Sequence, residues 1–426
     1  MTLRLMMLVS LLLLVSACGN DFAQHTVALD SSFNAPLGYA LFTPASGFSS
    51  RGVETALQSD GKIIVMGSTV NGADDDLLLV RYTKDGRLDT GFGTNGYVRY
   101  GNYDRDRGLG LAVMPDDDAI IVTGYSTFNG SRVLLAARFS ADGVLEKDLF
   151  YSDLGTDIGF GIAITPDHKI VIIGESSSTQ KQMQVLLLLR LDANLEYDPD
   201  FAQYGTYHYD GPADGNEKGF AVAVQPDGKL VAGGAIIYGG TKEDMLVIRL
   251  NQDGTLDSSF GSNGSFVWSS SGDNSDYANN LTLQADGRII VTGAASTGSS
   301  FRITTMRLLS SGQLDSSFGQ GGLVYYDGLT GSYAYPYGVL VQPDGRIVVA
   351  GSSNNSAGNK DAVVLRYTTD GQLDPSFGLA GVSSFSGPAN GDEVANGLAL
   401  QPDQALVVTG YSFDGQYDWA LTWRLR

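Results

Sequence analysis

Hydrophobic and polar positions alternate in short runs along most of the chain. From about residue 27 onward, the apolar runs are rich in β-branched side chains and are separated by Asp-Gly, Ser-Gly or Pro-Asp pairs. Alternation with a period of two predicts strands, and these turn pairs are typical of antiparallel hairpins. Because no stretch beyond the leader keeps a helical period over three turns, the pattern predicts an all-β protein.

One phrase recurs seven times, mostly at intervals of 57 to 60 residues. It reads QSDGKIIVMG at residues 58–67 and QPDGRIVVAG at residues 342–351. A second apolar run, an arginine and usually an LDxSFG segment follow each copy. Each unit therefore contains four strand-like runs separated by turns, which is typical of a β-propeller blade.

The two ends of the chain carry fragments of one unit. The seventh copy stops soon after its arginine, whereas ALDSSF at residues 28–33 repeats the segment that this copy lacks. Joining the fragments closes a ring and removes open sheet edges. We therefore predict an all-β seven-bladed β-propeller of four-stranded antiparallel blades, with the last blade completed by the N-terminal segment. The single propeller spans residues 27–426, with blades at about 52–101, 108–153, 159–210, 219–270, 279–328, 337–387, and 396–426 plus 27–45.

In six units the arginine precedes an acidic residue by eight positions, and the seventh arginine has its acidic counterpart near the other end of the chain. A partly buried arginine needs a carboxylate or carbonyl partner, so we predict a structural clasp in each blade. Seven ligand-binding arginines are the alternative. The predicted pairs are Arg81 with Asp89, Arg138 with Glu146, Arg190 with Asp198, Arg249 with Asp257, Arg307 with Asp315, Arg366 with Asp374, and Arg424 with Asp30.

The QPDGRIVVAG-like and LDxSFG phrases, which extend over nearly all of residues 27–426, resemble the delta-60 repeat family of bacterial propellers. The resemblance implies a secreted or surface-attached protein, and it brings no settled activity and no catalytic motif. Units two and three depart from the family pattern. Residues 146–150 replace LDxSF in unit two, and Ala193-Asn194 replaces Asp-Gly in unit three.

The first residues predict export. Residues 1–17 combine Arg4, a short apolar run and small final residues, which is typical of a signal peptide. Their end, with Cys18, resembles the bacterial lipoprotein box, so we predict lipidation of Cys18, the only cysteine, and a tether at residues 18–26. Gly19 after the cysteine resembles lipoproteins of the outer membrane, the expected location. An ordinary cleaved signal peptide is the alternative.

Composition and charge narrow the function. Apolar residues make up 43% of the chain, enough for packed cores, and the net charge of −20 argues against nucleic-acid partners. The chain has no GxSxG, HExxH or phosphate-loop motif, and the sequence identifies no catalytic residue. Catalysis by a pair of carboxylates stays open, although an enzyme is not the favoured interpretation.

An acidic residue precedes the first strand of five units, while the other two units have Ser50 and Ala334 there. In a propeller the first strand lines the central channel, so we expect these acids to crowd one mouth of it. Crowded carboxylates favour calcium or a cationic ligand. The alternative is that each acid accepts backbone N–H groups in its own turn or pairs with a blade arginine. The five acids are Asp106, Asp157, Glu217, Asp276 and Glu393.

Tyrosines alternate at Tyr333, Tyr335 and Tyr337 in a segment that the sequence predicts to be a Gly-rich loop beside the channel mouth. Such rings can stack against sugars or capture a partner. Strand tyrosines packed along a blade edge are the alternative.

Together these features favour a lipid-anchored envelope protein that binds or scaffolds a polysaccharide or protein partner without catalysis. A metal-assisted hydrolase or lyase that uses channel-mouth carboxylates and a mainly structural surface module are the other hypotheses.

Overall fold

The computed structural model describes residues 29–71, 74–101, 104–153, 155–178, 183–211, 215–237, 242–270, 274–387 and 391–426. These residues form seven four-stranded antiparallel sheets arranged around a central channel. Within the described residues, no helix has the length and apolar character needed to cross a bilayer. The predicted seven-bladed β-propeller is confirmed.

The strands are numbered in chain order, and each blade runs from an inner strand at the channel to a fourth strand at the rim. The inner strands are β2 (Ser49–Leu57), β6 (Asp106–Val113), β10 (Asp157–Ile164), β14 (Glu217–Val224), β18 (Asp276–Leu283), β22 (Ala334–Val341) and β26 (Glu393–Leu400). The second strands are β3 (Ile63–Asn71), β7 (Ile120–Phe128), β11 (Ile170–Ser178), β15 (Leu230–Ile237), β19 (Ile289–Ser296), β23 (Ile347–Asn354) and β27 (Leu406–Phe413). The third strands are β4 (Asp74–Tyr82), β8 (Ser131–Phe139), β12 (Met183–Leu191), β16 (Glu243–Leu250), β20 (Phe301–Leu308), β24 (Lys360–Tyr367) and β28 (Asp418–Leu425). The fourth strands are β5 (Tyr97–Tyr100), β9 (Leu145–Tyr151), β13 (Thr206–Tyr209), β17 (Ser265–Trp268), β21 (Leu323–Tyr326), β25 (Val382–Phe385) and, in the last blade, β1 (Tyr39–Phe42).

The last blade joins both ends of the described chain. Its strand order is β1-β28-β27-β26, and β1 pairs with β28 from Tyr39 opposite Trp423 to Phe42 opposite Ala420. The Asp30 N–H also donates to the Arg424 carbonyl at 3.0 Å. The N-terminal segment therefore supplies the fourth strand of the last blade, as the sequence predicts.

The cores lie between neighbouring blades. The second strands are buried on both faces, as Ile63, Ile64, Val65 and Met66 show, which explains their continuous apolar runs. One core cluster joins Ile64 of the first blade with residues of β7 and β8 in the second. Each blade therefore depends on its neighbours for burial.

The glycine that closes the repeated phrase allows the inner strand to approach closely. A Cβ added at Gly67 would lie 1.8 Å from the Arg51 carbonyl oxygen, so no other residue fits there without a shift. Just past this contact the inner strand bulges, between Gly52 and Glu54 in the first blade. All seven inner strands carry such a register shift, and the bulges set which side chains face the channel.

Arginine contacts connect the turns at one face of the ring, which we call the lower face. Each arginine of the seven predicted pairs donates from Nε to its carboxylate at 2.6–2.8 Å. Arg249 also donates to the Ser310 carbonyl of the following blade at 2.5 Å and lies over the Phe260 ring at 4.8 Å. The Phe260 ring packs against Gly312 of that blade, where a Cβ would lie 2.8 Å from it.

The departures in units two and three meet at one junction. Phe33, Phe92, Phe201, Phe260 and Phe318 each pack against a turn glycine of the next blade. Unit two has Leu149 at the phenylalanine position. In unit three the glycine position is Leu195, one residue beyond the Ala193-Asn194 pair that the sequence analysis aligned with Asp-Gly, and Leu195 is buried with φ of 58°. Leu195 and Leu149 pack in one cluster, so a larger side chain on one blade compensates for a smaller one on the other.

Candidate functional site

The inner strands enclose a cavity of about 480 Å³ at the centre of the ring. It opens at the face where the inner strands begin, which we call the upper face. Its walls differ in character. Leu109, Phe160 and Phe220 give an apolar side, with the two phenylalanine rings edge to face at 5.4 Å. The later blades give a polar side, which includes Asn280, Tyr337 and Asn396.

Two of the asparagines tie neighbouring blades together at the bulges. The Asn280 side-chain amide donates to the Tyr337 carbonyl at 3.0 Å, and that of Asn396 donates to the Gly52 carbonyl at 2.7 Å. These bonds fix the polar wall, so its side chains are held in position before a ligand arrives.

Among the described residues that line the cavity, Glu54 is the only carboxylate. Burial raises the pKa of Glu54 to about 7, although its Oε1 accepts the Thr55 N–H at 3.0 Å. The Glu54 side chain packs against the backbone of the last blade at Gly397. A Cβ at Gly397 would lie 2.7 Å from Glu54 Oε1, so glycine leaves the room that Glu54 occupies. The other six blades have Gly, Ala or Asn at the matching position. This departure from the repeat is the signal that the sequence analysis missed.

The mouth of the cavity carries two arginines that the sequence analysis also did not identify. Arg51 pairs with Asp418 at 2.8 Å and lies over the Tyr411 ring at 4.6 Å. Arg107 pairs with Asp75. About half of each arginine side chain is exposed, so both guanidinium groups can meet a ligand at the upper face.

The five acids that precede the inner strands do not crowd the mouth, so that expectation is wrong. Each is the first residue of its strand and is fully buried. The Asp276 carboxylate accepts the N–H groups of Ser270 at 2.6 Å and Ser296 at 3.0 Å. That of Glu393 accepts the Ser412 hydroxyl at 2.9 Å, and that of Asp157 accepts the Asp153 N–H at 3.0 Å.

Asp106 and Glu217 are bonded in the same local manner. The Ser126 hydroxyl donates to Asp106, and the Gly211 N–H donates to Glu217 at 3.3 Å. These side chains turn toward the end of the second strand because that strand and the entering loop supply the donors. In the described part of the chain, no group of three or more His, Cys, Asp or Glu residues is placed to hold a metal ion.

Two of the three tyrosines lie on a strand rather than in a loop, which corrects the expectation of a tyrosine loop beside the channel mouth. Tyr335 and Tyr337 belong to β22, and Tyr333 directly precedes it. The Tyr333 and Tyr335 rings stack at 6.4 Å, and Tyr335 and Tyr337 lie 5.3 Å apart. The Asn279 side-chain amide donates to the Tyr335 hydroxyl at 3.3 Å. Burial raises the pKa of all three phenols, so they keep their protons at neutral pH and can donate hydrogen bonds.

These three tyrosines, which we call the tyrosine row, connect two openings on the upper face. Tyr337 lines the central cavity, whereas Tyr333 lines a separate open groove between the fifth and sixth blades. Tyr335 lies between them and packs against Phe301 at 5.8 Å. The row therefore forms a continuous aromatic path from the groove to the channel.

The leader predictions concern residues outside the described part of the chain. These are the signal peptide at residues 1–17, the lipidated Cys18 and the tether at residues 18–26, and they stay predictions.

Comparison with known families supports a β-propeller family. Five segments match a family model described as "Domain of unknown function (DUF5122) beta-propeller": residues 58–92, 116–146, 225–260, 284–318 and 342–377. Four of the five segments start at the glutamine of the repeated phrase and end at the phenylalanine of the LDxSFG segment. No curated protein matches the chain.

Solved structures with a similar fold have very different sequences. The polysaccharide lyase Uly1 is 9% identical with a TM-score of 0.50, covering 88% of this chain and 90% of the lyase. An α-L-arabinofuranosidase from Fusarium graminearum is 10% identical with a TM-score of 0.49, covering 75% and 93%. A protein of unknown function from Dyadobacter fermentans is 12% identical with a TM-score of 0.46, covering 76% and 96%. At 9% identity the similarity to the lyase shows the fold alone.

Proposed function

We propose that this protein is a non-enzymatic binding module of the bacterial cell envelope. In this proposal a propeller of delta-60-type repeats holds a polysaccharide on its upper face, and lipidated Cys18 tethers it to the outer membrane. The tyrosine row carries the proposal, because it joins an open groove to a preformed channel.

The chemistry of this path fits a sugar chain. Stacked, protonated phenols offer apolar ring faces together with hydroxyl donors, and sugars present both C–H faces and hydroxyl groups. The fixed amides of Asn280 and Asn396 add polar groups next to the apolar wall of the channel. A protein segment is the other partner that the sequence analysis allows, and the binding test separates the two.

The test is binding of neutral and uronic-acid polysaccharides to the full chain, purified in mild detergent, by affinity electrophoresis. Tyr337→Ala and Tyr333→Ala should each weaken binding about tenfold or more, corresponding to about 1.4 kcal/mol. Tyr204→Ala is the matched control, because Tyr204 is 82% exposed and lines neither the central cavity nor the upper-face grooves. Binding that is equal in all four proteins would overturn the proposal. If no polysaccharide binds and a protein is captured instead through these tyrosines, the partner is a protein.

A metal-assisted hydrolase or lyase is the second candidate function, and Glu54 is the observation in its favour. A carboxyl group with a pKa of about 7 can act as an acid or a base near neutral pH. Glycoside hydrolysis normally uses two carboxylates, and no second one lines the channel among the described residues. Release of reducing ends that Glu54→Gln abolishes would replace the binding proposal with an enzymatic one.

A further inference from the structure

Two open grooves flank the turn that joins β19 to β20 on the upper face. The first, of about 440 Å³, lies toward the fourth blade, and the second, of about 760 Å³, lies toward the sixth. Ser296 and Thr297 line both grooves, so the two are the opposite sides of a single turn. The ends of strands β17, β20 and β21 supply Trp268, Phe301 and Tyr325, and loop residues supply most of the remaining lining.

Aromatic rings are present in both grooves. Trp268 and Tyr325 line the first groove, and Phe301 and Tyr333 line the second. Tyr325 is 40% exposed, and the Arg302 guanidinium lies 4.8 Å from its ring centre. The guanidinium holds this ring in place while much of its surface stays open to a ligand.

The polar groups of the grooves are hydroxyls and amides with little net charge. Serines, threonines and asparagines supply most of the remaining lining. Among the described residues that line the grooves, the charged ones are Arg302 and Asp327, which face each other at 3.6 Å and neutralise one another. In a chain with a net charge of −20, a surface with little net charge favours a partner that carries hydroxyl groups and no charge.

We propose that the paired grooves bind a neutral oligosaccharide segment and extend the tyrosine row outward by additional sugar subsites. Tyr333 belongs to both the row and the second groove, so one chain can contact Trp268, cross the turn and continue toward Tyr337. This inference rests on the proposed polysaccharide function and assigns the ligand its class and its direction across the ring.

The experiment measures binding of neutral gluco-, manno-, xylo- and galacto-oligosaccharides to the full chain by isothermal titration calorimetry, comparing disaccharides with hexasaccharides. Trp268→Ala and Tyr325→Ala should weaken hexasaccharide binding about tenfold or more while disaccharide binding stays unchanged. Ser299→Trp places a bulky ring on an exposed position of the turn, where it blocks the second groove without removing any buried group. Ser299→Trp should also weaken hexasaccharide binding about tenfold or more. It tests the groove proposal if Trp268→Ala fails to fold. Tyr204→Ala is again the control.

The outcomes separate the two proposals. If hexasaccharides bind and lose affinity with Tyr337→Ala but not with Trp268→Ala, Tyr325→Ala or Ser299→Trp, the grooves are not subsites and the proposed function stands. If no neutral oligosaccharide binds the unmodified chain, the groove proposal is overturned. Binding of oligouronates alone would overturn the neutral class in particular, and it would leave polysaccharide binding in place.

Discussion

Ring closure depends on the contact between Asp30 and Arg424, and Asp30→Ala tests it. Strand β1 is held to its blade by pairing with β28, and no turn connects those two strands. The Asp30 carboxylate accepts from Arg424 Nε at 2.8 Å and lies 2.7 Å from Arg426 Nε. Burial alone would raise the pKa of Asp30, but hydrogen bonds from Ser32 and the two arginine charges hold it below its ordinary value.

The magnitude follows from burial. The side chains of Asp30 and Arg424 are 8% and 6% exposed, and removing one partner of a buried pair costs about 3–5 kcal/mol. Arg424 keeps the Lys84 carbonyl at 3.0 Å and the Gln401 side-chain oxygen at 3.1 Å, which places the loss near the lower end, about 3 kcal/mol. For a cooperative unit of about 400 residues this corresponds to a Tm lower by about 3–4 °C.

The assay is calorimetry combined with hydrogen–deuterium exchange, with Asp374→Ala as the matched control. Asp374 makes the same 2.8 Å contact with Arg366 in the sixth blade, where the chain itself connects the strands. Asp30→Ala should speed amide exchange in Tyr39–Phe42, whereas Asp374→Ala should leave that strand unchanged. Equal exchange of β1 in the two variants would refute the closure argument, whatever the change in Tm.

Three further predictions concern buried acids, metal and anchoring. Burial raises the pKa of Glu393 from 4.5 to about 7, so the folded state binds more protons between these values and the free energy of unfolding should fall as pH rises from about 5 to 8. In denaturant titrations of Glu393→Gln, the decrease of the free energy of unfolding between pH 5 and 8 should be smaller by about 2–3 kcal/mol than in the unmodified protein. An equal decrease in both proteins would show that the pKa of Glu393 is not raised. Millimolar calcium should leave Tm unaltered because each of the five acids is hydrogen-bonded locally at the start of its own inner strand, and a rise reversed by chelator would show a site that this account lacks. Radiolabelled palmitate should enter the unmodified protein and not Cys18→Ala, and equal labelling would exclude the lipid anchor.

The repeat made the architecture predictable from sequence. Each blade uses the same glycine against the same inner-strand carbonyl, as at Gly67 and Gly124, so the recurring letters report one recurring geometry. Closure was predictable for the same reason, since the segment around Asp30 repeats the letters around Asp315, and Arg424 makes with Asp30 the contact that Arg307 makes with Asp315.

The direction of a side chain was harder to predict. A fixed offset correctly placed Asp276 and Glu393 at the starts of strands. Their side chains point toward the second strand because a backbone N–H group and a serine hydroxyl of that strand are the hydrogen-bond donors. Glu54 was missed because the sequence analysis looked for residues that recur in every repeat. Glu54 does not recur: at the bulge position, only the first blade has a carboxylate, and that carboxylate lines the channel. The bulge register that places it in the channel appears only in the folded sheet.

Hydroxyl-radical footprinting of the full chain with a bound polysaccharide tests the central claim most directly. The account predicts reduced oxidation of Tyr333 and Tyr337 when the polysaccharide is present, and unchanged oxidation of Tyr204. Protection of Tyr204 with no change at Tyr333 and Tyr337 would place the ligand elsewhere and contradict the proposed upper-face site.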